Sequence, residues 1–191
     1  MNFFLIGMRR SGTSIARTLL LKHPKIKECL FEPYELWHSI RVSHLGRYRN
    51  DPYVKKIIQD FRNTSGKYKG AKFALNTCLE AMTWKRLHLV FPDAKFIFID
   101  RNVEETWASW NKADKDSVRG LCSKTLYKGF RNQIVNSFYK FNEDNACSAI
   151  VKYDNILVDA DKELEKVWEC FGIDKINGLN KFIKTPENRV K

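Results

Sequence analysis

The sequence predicts an α/β fold of three layers, a mainly parallel β-sheet flanked by helices. Three observations predict it. Short apolar runs at Phe3–Ile6 and Lys95–Asp100 are too brief for helices, and they alternate along the chain with segments of helical period. Each run ends in a polar junction, at Gly7–Thr13 and at Arg101–Asn102, from which a helix sets off. No repeat, low-complexity stretch or linker interrupts the chain, so residues 1–191 are expected to form one domain.

Phe3 to Ile6 reads as a strand buried on both faces, ending at Gly7. Thr13 to His23 follows as a helix with Ile15, Leu19 and Leu20 on one face, stopped near Pro24. Asp51-Pro52 is a cap followed by proline at the first helical position, and Val54, Ile57, Ile58 and Phe61 then recur at helical spacing to residue 62. Lys72 to Leu75 is a candidate strand, and Thr77-Cys-Leu-Glu80 has the capping-box pattern ahead of a helix to about Val90. After the Phe91-Pro-Asp-Ala turn, Lys95 to Asp100 is the strongest strand, and Asn102 with Glu105 caps the helix running through Trp110. Leu126, Phe130, Ile134, Phe138 and Phe141 predict a long amphipathic helix between 121 and 141. Ser148 to Tyr153 is the next strand, and residues 161 to 171 form a last helix carrying Leu164, Val167, Trp168 and Phe171, ended by Gly172.

With 191 residues, 43% of them hydrophobic, the chain can bury one sizeable core. Lys plus Arg outnumber Asp plus Glu by 34 to 22, and the resulting charge of +12 favours anionic ligands without selecting among nucleotides, nucleic acid, acidic glycans and membranes. The five cysteines are odd in number, widely spaced and free of any zinc-type cluster, which fits reduced thiols in a cytoplasm. The first residues carry their arginines after the apolar run, the reverse of a signal peptide, and no apolar run approaches the roughly 20 residues of a membrane span. A cytoplasmic protein is therefore expected.

Gly7-Met-Arg-Arg-Ser-Gly12-Thr13-Ser14 has the G-x-x-x-x-G spacing of a phosphate-binding loop and lies between a predicted strand and a predicted helix. The free N–H groups of a first helical turn point at such a ligand, and the hydroxyls of Thr13 and Ser14 add donors. The nucleotide-kinase form of this loop needs Lys after the second glycine, where Thr13 stands, so ATP chemistry is disfavoured.

At these residues the chain resembles the family of sulfotransferases that use 3′-phosphoadenosine 5′-phosphosulfate (PAPS), whose first strand leads into a Lys/Arg-Ser-Gly-Thr-Thr/Ser loop. Here that string is Arg10-Ser11-Gly12-Thr13-Ser14. The resemblance implies a P-loop-like sulfotransferase architecture, with Ser11 to Ser14 on the 5′-phosphate and Arg10, or alternatively Arg9, beside the bridging oxygen. It extends to Phe96-Ile-Phe-Ile-Asp-Arg101, with Ser109 eight residues beyond the arginine. In the family those two side chains hold the 3′-phosphate, which suits a guanidinium fork at a strand end and a hydroxyl on the next helix. Further matches are His23-Pro24, Glu32-Pro33, Phe91-Pro-Asp-Ala-Lys95 and Val151-Lys-Tyr-Asp-Asn-Ile156. Lys72 matches a family lysine that assists at the bridging oxygen, and Glu32 matches an acidic residue that several branches place after the first helix, which makes it the candidate base, with Glu35 and His38 as competitors. The chain departs from the pattern at Val103, where proline is usual, in lacking the histidine some branches carry near Lys72, and in lacking an Arg-Lys-Gly loop, for which Arg189 and Lys191 are the available substitutes.

Sulfuryl transfer from an activated donor asks for alignment and charge stabilisation rather than a metal, and none is expected here. The acceptor, whether sugar, lipid, phenol or peptide, is not legible, because the segments 33–50 and 111–131 that would build its pocket carry no motif. The oligomeric state is equally open. Two other readings compete. A P-loop nucleotide-binding protein or kinase would use Asp100, at the end of its apolar strand, to hold a metal. A nucleic-acid-binding module would use the basic surface with Trp37, Tyr48 and Tyr53, although no reader motif is present, and nucleic acid is not expected as a partner.

Overall fold

In the computed structural model, residues 1–42, 50–63, 67–75, 83–113, 123–144 and 148–183 are described. The strands are β1 (Asn2–Met8), β2 (Ile26–Phe31), β3 (Tyr68–Leu75), β4 (Lys95–Asp100) and β5 (Ser148–Lys152). The helices are α1 (Thr13–Leu20), α2 (Tyr34–Val42), α3 (Pro52–Arg62), α4 (Thr83–Val90), α5 (Val103–Ala113), α6 (Lys124–Asp144), α7 (Tyr153–Val158) and α8 (Ala160–Phe171), with a 3₁₀ turn at Asn180–Phe182. The strands form one sheet in the order β2-β3-β1-β4-β5, and every pairing is parallel.

Alternation along β1 and β4 divides the core between the two faces of the sheet. Phe4, Ile6, Phe96 and Phe98 pack with α2 to α6, whereas Phe3, Leu5, Ile97 and Ile99 pack with α1, α7 and α8. The three layers expected from the sequence follow directly. Because all strands run the same way, their C-terminal ends share one edge, where the turns into α1, α5 and α7 emerge together.

Several local signals operate as their chemistry requires. Asp51 caps α3 by accepting from the N–H groups of Tyr53 and Val54, and Gly172 ends α8 in the left-handed conformation, at φ 65°. Asn102 Oδ1 accepts from the Glu104 and Glu105 N–H groups at 2.8 and 3.3 Å, but the Glu105 carboxylate turns to Arg101 instead of closing a capping box.

The structure adds three elements that periodicity did not mark: β2, α2 and α7. β2 is an edge strand in which Lys27 and Phe31 stay exposed, so Lys27-Glu28 breaks the apolar run that would reveal it. β3 begins at Tyr68, four residues before the expected start, and Tyr153 opens α7 rather than ending β5. On α6 the buried stripe is rotated towards Tyr127 and Val135, which leaves Leu126 exposed. The capping pattern at residues 77–80 and the C-terminal Arg189 and Lys191 lie outside the described residues. Among the described residues no helix is long and apolar enough to cross a membrane.

Candidate functional site

A cleft of about 440 Å³ opens at the C-terminal edge of the sheet, and the loop between β1 and α1 forms its floor. Both glycines of that loop are there for close approach. A Cβ on Gly7 would lie 2.5 Å from Ser11 Oγ, and one on Gly12 would lie 2.0 Å from the Tyr153 ring. Gly12 also takes φ 98°, and Arg10, at φ 70°, shares the left-handed region. This winding turns the loop into α1 with no side chain capping its N-terminus. Ser11 is 2% exposed, and its Oγ has no hydrogen-bond partner among the described residues. A buried hydroxyl left this way beside an uncapped helix start fits an oxyanion ligand.

β3 contributes the second wall. Ala71, Phe73 and Leu75 enter the core under α2 to α6, so alternation turns Lys72 and Ala74 to the opposite face, towards α1. Lys72 is 3% exposed, and its Nζ lies 2.9 Å from Glu32 Oε1, 3.4 Å from Ser14 Oγ and 3.8 Å from the centre of the Phe31 ring. Glu32, directly after β2, has φ 44° and is half-exposed at the cleft mouth.

The third wall is made by the ends of β4 and β5. Arg101 lies 4.4 Å over the Tyr153 ring, donates to Arg10 O at 3.1 Å and pairs with Glu105 Oε2 through Nε and Nη2 at 3.2 and 3.0 Å. Arg10 Nε donates to Ser109 Oγ at 3.1 Å, joining the phosphate loop to α5. Arg9 stacks beside Trp110.

The sequence-selected residues thus meet at one place. Arg9, Arg10, Gly12, Thr13, Ser14, Glu32, Lys72, Arg101 and Ser109 line the cleft, and Ser11 lies buried beneath it. Glu35 and His38 are exposed on α2 and do not line it. Tyr153 was not singled out, although it stands within the Val151–Ile156 match. Its role as a cover for Gly12 depends on contacts between distant segments and has no local signature.

Asp100 lies outside the cleft lining. It is 7% exposed and accepts from Arg131 Nη2 and Lys152 Nζ, both at 2.6 Å, and from Tyr139 Oη at 3.3 Å. Burial alone would lower the Lys152 ammonium, but its hydrogen bonds to Asp100 and Tyr139, with the Asp100 charge, raise it above the ordinary lysine value. A carboxylate held by two cations is already satisfied, which removes the group that a metal-dependent kinase reading requires. Among the described residues, no group of three or more His, Cys, Asp or Glu side chains is placed to hold a metal ion. Trp37 packs on Phe73 with ring centres 5.0 Å apart, so it is not offered to a nucleic-acid base, and Tyr48 lies outside the described residues.

The parallel sheet, the glycine loop at its C-terminal edge and the cations around it give the chain the architecture of an α/β protein whose β1–α1 junction is built to favour an anion. The sulfotransferase domain family model matches residues 2–169, and the chain belongs to that family. The enzyme is therefore a sulfotransferase, and its reaction is sulfuryl transfer. Among solved structures, the sulfotransferase domain of the Synechococcus PCC 7002 olefin synthase is similar at TM-score 0.68 and 14% identity, covering 98% of this chain and 82% of that one. The Alicyclobacillus acidocaldarius sulfotransferase is similar at TM-score 0.61 and 16% identity, over 98% and 87% of the two chains. Mouse sulfotransferase SULT7A1 complexed with PAP is similar at TM-score 0.60 and 15% identity, over 94% and 63%. These likenesses bear on the fold. No curated protein matches the sequence.

Proposed function

We propose that the cleft takes PAPS as sulfuryl donor and that the chain acts as one domain on a hydroxyl or amine acceptor. The observation that carries this reading is the buried Lys72 ammonium, 3.4 Å from Ser14 Oγ at the uncapped head of α1, with the orphaned Ser11 hydroxyl beneath the loop. PAP in the SULT7A1 structure supports the same class of donor. PAPS supplies a sulfuryl group activated by its anhydride link to the 5′-phosphate.

The first-turn N–H groups of α1 and the hydroxyls of Ser11, Thr13 and Ser14 bind the 5′-phosphate. Lys72 and Arg10 bring positive charge to the bridging oxygen, which Arg10 does by leaving Ser109. Arg101 and Ser109 bind the 3′-phosphate, for which Arg101 exchanges Glu105 for the ligand. Glu32, at the cleft mouth, accepts the acceptor's proton as its oxygen or nitrogen bonds to sulfur and the bond from sulfur to the bridging oxygen breaks. Its position on the cleft lining favours it over Glu35 and His38. A cytoplasmic setting accords with the buried, unbridged thiol of Cys29.

Calorimetry with 3′,5′-bisphosphoadenosine and AMP, both without metal, tests the donor assignment. Wild type is expected to prefer the bisphosphate, and Arg101→Ala to lose roughly 10- to 100-fold in its affinity while AMP binding changes little. Equal affinity of wild type for the two nucleotides would overturn the assignment.

A further inference from the structure

Resting on that donor reading, we infer that Asp100, Arg131 and Lys152 form a latch beneath the cleft, whose function is to position the Arg101–Tyr153 pair for the 3′-phosphate. Asp100 and Lys152 are partners across the parallel β4–β5 pair, so the residues after them, Arg101 and Tyr153, emerge side by side at the sheet edge. The guanidinium of one then stacks on the ring of the other, and that ring covers Gly12.

Immediately below, the Asp100 carboxylate joins three elements. Lys152 Nζ reaches it from β5 and Arg131 Nη2 from α6, each at 2.6 Å. The same Arg131 nitrogen donates to the carbonyl of Arg101 at 3.1 Å, so α6 grips the backbone from which the Arg101 side chain departs. Glu163 of α8 accepts the Lys152 N–H at 2.6 Å and fixes the start of α7 from the other face. The Lys152 N–H, one residue before Tyr153, and the carbonyl of Arg101 are thereby both held beside one ion cluster.

Stability alone does not explain this arrangement. β4 and β5 already share a ladder, and a buried ion pair is often no more stabilising than apolar side chains of similar volume. What the cluster adds is fixed direction, because the planar guanidinium of Arg131 addresses two acceptors at once. It also adds charge, since two cations face one carboxylate and a positive surplus is left directly beside Arg101. Both effects act most directly on an anion at Arg101, and they reach the 5′-phosphate loop only secondarily, through the Arg101 bond to the Arg10 carbonyl and the Tyr153 ring over Gly12. Asp100, Arg131 and Lys152 are positioning residues in this scheme.

The test is the ratio of 3′,5′-bisphosphoadenosine to AMP affinity, measured by calorimetry in wild type, Arg131→Gln, Lys152→Met and Asp100→Asn, with thermal melts on the same preparations. A purely structural role lowers melting temperature and weakens both nucleotides together, leaving the ratio unchanged. The latch lowers the ratio about tenfold in Arg131→Gln and severalfold in Lys152→Met, with AMP affinity within about threefold of wild type. If Asp100→Asn does not fold, the other two variants decide the matter, because Lys152 is half-exposed and Arg131 lies at the rim of the core. A wild type that prefers the bisphosphate, together with variants that keep the full preference, would overturn the latch and leave the donor reading standing. A wild type without preference overturns both.

Discussion

The Lys72–Glu32 pair predicts an asymmetry that ordinary salt-bridge reasoning does not. The two partners differ sharply in exposure, 3% for the lysine side chain against 46% for the glutamate. In Glu32→Gln the amide still accepts a hydrogen bond, but a buried ammonium loses its counter-charge and keeps only neutral close partners, that amide with Ser14 Oγ and the Phe31 ring. Removing one partner of a fully buried pair costs about 3–5 kcal/mol, and the open cleft beside Lys72 reduces this to about 1–2 kcal/mol. In Lys72→Met the apolar stem stays packed, the buried charge disappears and Glu32 is free to hydrate, so the cost is below about 1 kcal/mol. Urea unfolding of both variants at neutral pH and low salt measures the two differences. Bisphosphoadenosine at saturation should narrow the gap, because its phosphate supplies the negative charge that Glu32→Gln removes. Lys72→Met costing as much as Glu32→Gln would refute the reasoning, since it would mean that the lysine charge is solvated as well as the carboxylate.

Ser11→Ala should reverse sign with ligand: without nucleotide it removes an unsatisfied buried hydroxyl and raises the melting temperature slightly, and with bisphosphoadenosine it shows a smaller ligand-induced shift than wild type. A lower melting temperature without ligand would show that Ser11 Oγ has a partner in the free protein. Glu105→Gln should tighten bisphosphoadenosine binding by roughly 2- to 5-fold in calorimetry, because the exposed carboxylate that occupies Arg101 is worth only about 0.3–1 kcal/mol and competes with the 3′-phosphate. Weaker binding would make Glu105 a support of Arg101 rather than a competitor. Burial pushes the Cys29 thiol from 9.0 up to about 12, against the opposing pull of Arg17 and Lys72, so the unfolded chain loses this proton first as pH rises. Stability is therefore lost between pH 9 and 12, and Cys29→Ala should lose less than wild type when urea midpoints at pH 8 and 10.5 are compared.

Most of what local chemistry specifies was legible in the sequence. The β1 loop, with its glycines and hydroxyls, the Asp51-Pro52 start of α3, and β4 ending at Arg101 are each encoded within about ten residues, where steric and capping preferences act directly. The match of Arg10 to Ser14 and of Arg101 with Ser109 located both sides of the cleft before any coordinates. What remained hidden depends on pairing between distant segments. β2 was invisible because an edge strand tolerates Lys27 and Glu28, and α7 because a six-residue helix offers less than two turns of periodicity. Tyr153 over Gly12 joins residues 141 positions apart, and Arg131 reaches Asp100 from a helix whose period reports only its apolar side. Even the partial capping box at Asn102 misled in one respect: Glu105 had two hydrogen-bonding destinations, and the guanidinium of Arg101 is the stronger.

The charge of the cleft explains why the protein needs both a basic surface and an exact geometry. Among the described residues, four cations, Arg9, Arg10, Lys72 and Arg101, line the cleft against the carboxylate of Glu32, a local surplus of three within a chain of net charge +12. The wider surplus draws any polyanion towards the molecule, and salt at physiological strength screens it within about 8 Å. It therefore accelerates encounter without choosing a ligand. Under the donor reading, selection falls to the cations nearest the loop, and they already hold partners within the protein, among them Glu32 for Lys72, Glu105 for Arg101 and Ser109 for Arg10. On that reading a nucleotide would bind by replacing these partners, so its net gain would be the difference between phosphate and carboxylate or hydroxyl at each position. A ligand with phosphates at only one end recovers only part of that exchange. Under the proposed donor reading, discrimination would arise because the loop follows β1 whereas Arg101 and Tyr153 follow β4 and β5, so the two ends of a bisphosphorylated nucleotide would meet groups carried by different strands of one sheet.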